Sequence, residues 1–248
     1  MGISAVARNL IKAGLQLIGL DLLRAKNSPR LTLLGLREMP IRSIIDVGAN
    51  TGQFARDMRR FFPQATIFSF EPLPDPFMEL DAWAATQGGH VRTFNLALGE
   101  SSGEIPMHCH VDHTPSSSML TATDLNAAYH PFIKAQRSCT VRIDRLDDVL
   151  SAVKTPLDQD LLLKLDVQGY EDRVLRGAPK TLRSASACVL EVGLDSLYED
   201  QADLLTLVSL LSDAGFAYAG NLSQSYADDG HVIWLDAVFR KGSDRKRA

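Results

Sequence analysis

The chain has 248 residues, 45% hydrophobic and 23% charged, enough for a substantial core in one α/β domain with embellishments. A net charge of −4 and a sequence pI near 5.9 leave no global basic field, which argues against a nucleic-acid partner. Cys109, Cys139 and Cys188 show no paired metal spacing, and an odd count without a signal peptide fits reduced thiols and a cytoplasmic location.

In chain order, residues 3–23 come first, with Val6, Leu10, Leu15, Ile18 and Leu22 at helical spacing. Arg8 and Lys12 interrupt the run, so it is neither a signal h-region nor a membrane span. Val6 stands where a myristoylation signal requires Ser or Thr. A lid or a packing contact, including one between copies in a homo-oligomer, is expected here. The alternative is a basic amphipathic helix resting on a membrane.

Next comes IIDVGANTGQF, residues 44–54. Ile44, Ile45 and Val47 are β-branched and suit a buried strand. Gly48 and Gly52 permit a tight turn and a close backbone approach. Phe54, Met58, Phe61 and Phe62 then change to helical spacing. Strand, glycine turn and helix together present free backbone N–H groups, which suit a polar or anionic ligand group.

Further strands are expected at 66–70, 91–96, 161–166, 186–192, 215–220 and 231–239. Helices are expected near 52–62, 74–86, 170–176, 178–184 and 199–213. Such alternation predicts a mostly parallel sheet with helices on both faces. Residues 99–143 carry no long helical pattern, and ESSGEIPMHCH reads as a hairpin or loop insertion. The last two strands are joined by SQSYADDG, too short for a helical crossover, so the final strand is expected to be antiparallel.

Ligands of open α/β sheets bind beyond the carboxyl ends of the strands. Here those ends carry Asp46, Glu71, Asp166 and Glu191. Helix capping explains one or two such acids, but four is harder. Glu71 suits the two hydroxyls of a ribose, which both NAD and S-adenosylmethionine possess. The turn separates the two. A dinucleotide fingerprint needs glycine where Asn50 stands and again where Phe54 stands. Asp46 would repel a pyrophosphate but suits a ligand carrying an ammonium group. S-adenosylmethionine fits better.

IIDVGANTGQF, FSFEPLP, FNLALGE and LLLKLDVQGYEDRVLRGA, in that order across residues 42–191, resemble the FkbM-type family of S-adenosylmethionine-dependent methyltransferases. The resemblance implies a Rossmann-like, seven-stranded class I methyltransferase sheet with a reversed last strand. It also implies O-methylation of a small-molecule hydroxyl, on a sugar or secondary metabolite. By position it assigns Asp46, Gly48, Asn50, Thr51 and Gly52 to the methionine part. Glu71 and Pro72 fall to the ribose, Asn95, Ala97 and Leu98 to the adenine region, and Asp166 to the reacting end. Residues 41–240 then form the methyltransferase domain, 1–40 an N-terminal helical extension and 241–248 a charged, disordered tail.

The general base is expected among Asp166, Glu191 and a histidine of MHCHVDH, with His110 taken as representative of His108, His110 and His113. The histidines give no standard metal pattern. Asp166 with Glu191 would place a cation beside the acceptor hydroxyl, but contact of Asp166 with cofactor and of Glu191 near substrate is the preferred reading, and no metal is assigned. Tyr170, Tyr198, Trp83 and Trp234 are candidates to face a sulfonium, though core or rim positions suit them better. Lys164 shares a strand face with Asp166 by period two and is expected to pair with an acid. PSSSML, residues 115–120, reads as a loop ordering over the site. A rival of another class is a non-catalytic cofactor-binding interaction module, which the retained rim acids disfavour.

Overall fold

In the computed structural model, residues 5–20, 24–110, 113–153 and 160–242 are described. Ten strands run Ser43–Val47 (β1), Thr66–Phe70 (β2), Val91–Phe94 (β3), Ala97–Leu98 (β4), Gly103–His110 (β5), Gln136–Asp144 (β6), Leu161–Leu165 (β7), Ala185–Gly193 (β8), Phe216–Tyr226 (β9) and Val232–Lys241 (β10). The α-helices are Ala5–Gln16 (α1), Pro29–Thr32 (α2), Gln53–Phe61 (α3), Pro74–Ala85 (α4), Asp124–Tyr129 (α5), Leu146–Ala152 (α6), Glu171–Arg176 (α7), Pro179–Ser184 (α8) and Leu204–Asp213 (α9).

Seven strands form one sheet in the order β3-β2-β1-β7-β8-β10-β9. The first five pair in parallel, and β10 runs antiparallel to both β8 and β9. This is the expected Rossmann-like seven-stranded sheet with one reversed strand. The central strands β1 and β7, SIIDV and LLLKL, are buried at every position, as strands covered on both faces must be. Period two divides them between two cores. Ile45, Val47, Leu163 and Leu165 face one layer, with Phe68, Phe70 and Leu190. Ile44, Ile67, Leu162 and Val189 face the other.

The second core also takes in Leu33 and Leu36, so the segment before β1 is packed against the sheet from residue 33 onward. In α1 and just after it, Leu10, Leu17 and Ile18 are 69%, 88% and 71% exposed. These side chains take no part in the core of the sheet. No helix of the described residues is long and apolar enough to cross a membrane.

The insertion is a small sheet, β4-β6-β5, whose antiparallel ladder runs from Gly103↔Ile143 to His110↔Gln136. Leu73, Met107, Val141 and Ile143 form its core against the main domain. Within it Cys109 and Cys139 form a disulfide, with Cα atoms 6.7 Å apart, and Cys188 is free and buried. That corrects the expectation of reduced thiols and removes the cysteine argument for a cytoplasmic location. The tail is also corrected at its start. Lys241 belongs to β10, and its ammonium donates to Leu182 O at 3.0 Å. Residues 243–248 lie outside the described residues, as does Asp112 of the histidine-rich stretch.

Candidate active site

Two cavities open at the carboxyl ends of the parallel strands. The first, about 320 Å³, is lined by Gly48, Ala49 and Asn50 after β1, Glu71 to Leu73 after β2, Leu96 to Leu98, and Lys164 to Val167 at the end of β7. Phe54, Phe70, Met107 and Met119 supply apolar wall. The second, about 420 Å³, is lined by His113, His130, Phe132, Glu191, Tyr198 and Trp234, among others. Asp166 and Pro115 belong to both. The Asp166 carboxylate is thus a wall shared between the two spaces.

The turn after β1 is held from both sides. Gly48 and Ala49 donate their N–H groups to Phe70 O at 3.0 and 2.9 Å. Asn50, in the left-handed region at φ 46°, donates its N–H to Glu71 Oε2 at 2.8 Å. Glu71 Oε1 accepts from Leu73 N at 2.8 Å, so each carboxylate oxygen holds one backbone donor. Burial pushes the Glu71 carboxyl up to about 7, against the lowering effect of those two N–H groups. The side chain of Asn50 reaches out to Thr114 Oγ1 at 3.0 Å, tying the turn to the segment before PSSSML.

Beneath the turn lies a buried ion pair. Register places Asp46 opposite Lys164, and Lys164 Nζ sits 3.1 Å from Asp46 Oδ1 and 3.5 Å from Asp166 Oδ2. It also donates to Gly48 O at 2.9 Å. Burial alone would lower an ammonium, but Asp46 and Asp166 outweigh it and hold Lys164 above its usual range. Burial likewise raises Asp46, which is fully buried, with Lys164 pulling the other way.

At the shared wall, Gln168 Nε2 donates to Asp166 Oδ1 at 2.8 Å and to Glu191 Oε1 at 2.6 Å. Tyr198 directs its hydroxyl at Gln168 Oε1 (2.8 Å) and Ser116 O (2.9 Å). Burial, then the nearby charges of Asp166, Glu171 and Asp236, raise Glu191 well above the usual carboxyl range. Two carboxyls in one place with divergent environments are the makings of an acid–base site.

Residues 46–218 match the methyltransferase FkbM domain. The chain belongs to the FkbM methyltransferase family. It is 32% identical to Methyltransferase 1 of Beauveria bassiana, over 71% of this chain and 72% of that protein. It is 27% identical to the 2-O-methyltransferase NoeI of Sinorhizobium fredii, over 72% and 74%. It is 30% identical to the 31-O-demethyl-FK506 methyltransferase FkbM of Streptomyces tacrolimicus, over 58% and 62%.

Within this FkbM-family site, Gly48, Asn50, Glu71, Pro72, Ala97, Leu98 and Asp166 line the first cavity. Four residues expected at the cofactor do not. Asp46 points away and is taken up by Lys164. Thr51 and Gly52 shape the start of α3, where a Cβ on Gly52 would come within 2.9 Å of Leu80. Asn95 braces the wall from behind, donating to Glu71 O and Pro72 O, both at 3.0 Å.

Of the candidate bases, Asp166 and Glu191 meet at the second cavity and His110 does not. The imidazole of His110 is 1% exposed and lines neither space, and burial holds its pKa below the ordinary value. His113 lines the second cavity instead, its ring 4.7 Å from that of Phe132. The PSSSML loop does lie over the site: Pro115, Ser117 and Met119 line the first cavity, and Ser118 Oγ donates to Gln168 O at 2.8 Å. Of the aromatic candidates, Tyr198 and Trp234 line the second cavity, whereas Trp83 stacks under Arg56 beside Gly52. Among the described residues no three His, Cys, Asp or Glu side chains converge as a metal set. Sequence reasoning passed over Gln168 altogether. Its signal was the polar residue between the strand-ending Asp166 and the turn glycine Gly169.

Proposed function

We propose that this methyltransferase moves the methyl group of S-adenosylmethionine to a hydroxyl of a small molecule, with Asp166 taking the hydroxyl proton. The observation that carries this reading is that the Asp166 carboxylate borders both cavities at once. The residues of the first cavity fit the cofactor. Gly48, Ala49 and Asn50 bring the glycine turn to the cavity wall, with their N–H groups held by Phe70 O and Glu71, so that a ligand meets a fixed wall beside the Glu71 carboxylate. Glu71 retains lone pairs beyond those used by Asn50 and Leu73, enough to accept from two ribose hydroxyls. Leu73, Leu98, Met107 and Met119 offer an apolar slot for a purine. The charge suits it too, because Asp166 and Asp236 reach the cavity while Lys164 is already paired.

When bound, S-adenosylmethionine supplies a methyl group activated by the positive sulfur. The chain's own residues align the acceptor, remove its proton and exclude water. Asp166 accepts the proton through a side chain that is 33% exposed, and the adjacent Lys164 ammonium stabilises its charge. Glu191, whose hold on a proton is strengthened by burial, stands beside Asp166 to hydrogen-bond a neighbouring acceptor hydroxyl. Phe132 and Trp234 give the second cavity apolar faces. One relative is named a 2-O-methyltransferase and another a 31-O-demethyl-FK506 methyltransferase, which supports a hydroxyl acceptor.

The test is label transfer. The protein is incubated with methyl-labelled S-adenosylmethionine and a panel of monosaccharides and polyketide alcohols, and products are read by mass spectrometry. Label on a hydroxyl oxygen, lost in Asp166→Asn, is the expected result. Label on nitrogen or carbon would refute O-transfer.

A further inference from the structure

Gln168 occupies a backbone position that does not favour glutamine. Its φ is +57°, in the left-handed region that glycine enters freely and long side chains rarely adopt, and Gly169 follows at φ +95°. Its side chain does what glycine there cannot. The two hydrogens of the amide nitrogen go to two different carboxyls, Asp166 at 2.8 Å and Glu191 at 2.6 Å. The amide oxygen accepts from Tyr198 at 2.8 Å, and the backbone oxygen accepts from Ser118 at 2.8 Å. A flipped amide would aim its oxygen at two carboxyl oxygens, so the orientation is dictated by the neighbours.

We propose that Gln168 is a positioning residue: by giving each carboxyl its own amide hydrogen, it stops Asp166 and Glu191 from closing onto a shared proton and leaves Asp166 free to take one from the acceptor. Two carboxyls brought together without such a donor titrate as a coupled pair, with one midpoint displaced strongly upward. The backbone strain at Gln168 is then a cost carried for the site, as strained residues at functional positions generally are.

The other groups facing the pair are contributed by separate elements. Lys164 on β7 contacts Asp166, and Asp46 on β1 lies behind it. Asp236 on β10 is registered opposite Glu191, and Glu171 begins α7. Tyr198, His113 and His130 line the second cavity. Of these groups only Tyr198, whose hydroxyl donates to Gln168 Oε1, loses a partner when Gln168 is replaced, and it keeps its bond to Ser116 O, so a displaced titration reports the amide.

The inference rests on Asp166 as the base, and the test separates the two. Gln168→Met keeps the length and removes both amide hydrogens. Gln168→Gly removes the side chain and relieves the left-handed strain, so it is expected to fold at least as well as the wild type. Side-chain carboxyl carbons are followed by ¹³C NMR against pH in protein labelled at Asp and Glu, alone and with S-adenosylhomocysteine. Asp166→Asn identifies the pair's signals. In both Gln168 variants the upper midpoint of the pair should rise by about one pH unit or more. With an acceptor found by label transfer, the acidic limb of kcat should move upward to the pair's upper midpoint, so that raising the pH restores turnover. KM for S-adenosylmethionine should stay within about twofold. Unchanged midpoints in a folded variant, or an equal loss of turnover at every pH, would overturn the proposal. If Asp166→Asn turns over normally, the reading of Asp166 fails first. If it is inactive while the Gln168 variants titrate like the wild type, only the positioning role fails.

Discussion

A Cβ placed on Gly48 would lie 1.8 Å from the backbone oxygen of Asp166, although 118 residues separate the two in sequence. The glycine turn after β1 and the end of β7 are packed backbone to backbone, and Asp166 N donates to Val47 O at 3.1 Å beside that contact. Gly48 therefore serves the packing of the sheet as well as the approach of a ligand. Gly48→Ala should already lower stability by about 2–4 kcal/mol, through the clash and the φ of +73°. Thermal unfolding checks it. An unchanged Tm with cofactor binding lost would show that the glycine serves the ligand alone.

Lys164→Met should be more damaging than a surface lysine change. It leaves Asp46 buried with its cation gone, a loss of about 3–5 kcal/mol. Adding Asp46→Asn should recover part of it, since the orphaned charge is then removed. Urea denaturation of the single and double variants measures both. No recovery in the double variant would mean that the ammonium matters chiefly for its bond to Gly48 O.

Glu71 makes stability depend on pH. Its folded value, about 7, lies above the ordinary 4.5, so its contribution is fully present below about 4.5 and lost as pH rises through 7. Glu171, also raised to about 7 by burial, adds to the same slope. Wild-type stability should therefore fall across this window, and Glu71→Gln should show a shallower fall. Chemical denaturation at pH 4.5, 6 and 8 gives the comparison. A variant as steep as the wild type would assign the slope to other groups.

Asp166→Asn keeps the shape and removes the charge. Turnover should drop by about 10²–10⁴-fold, the scale of lost proton transfer, with a smaller change in cofactor affinity. Label-transfer kinetics at saturating S-adenosylmethionine read this directly. Recovery of full turnover at saturation would make Asp166 a binding residue instead.

The strands that build the site were legible because Ile44, Ile45 and Val47, and Leu161 to Leu165, are apolar runs ended by an acid and a glycine. Asp166 and Glu71 could be placed at the rim from that pattern alone. Asp46 could not, because its role depends on β1 lying beside β7 with Asp46 registered against Lys164. Period two puts His108 and His110 on one face of β5 but does not say which way the face turns or what covers it. His110 is enclosed within the fold. The Cys109–Cys139 pair likewise needs the β5–β6 register. Helix α6, only seven residues of LDDVLSA, is too short for periodicity to reveal. Its Asp147 accepts from Lys180 N, Thr181 N and Thr181 Oγ1, a tie between segments more than 30 residues apart that no local pattern encodes.

Isothermal calorimetry with S-adenosylhomocysteine tests the central claim most directly, because it needs no acceptor. The account predicts saturable one-site binding in about the micromolar range, with NAD at least about tenfold weaker. It also predicts that Glu71→Gln loses about 1–3 kcal/mol of that affinity. Absence of saturable heat with S-adenosylhomocysteine, or tighter binding of NAD, would contradict it.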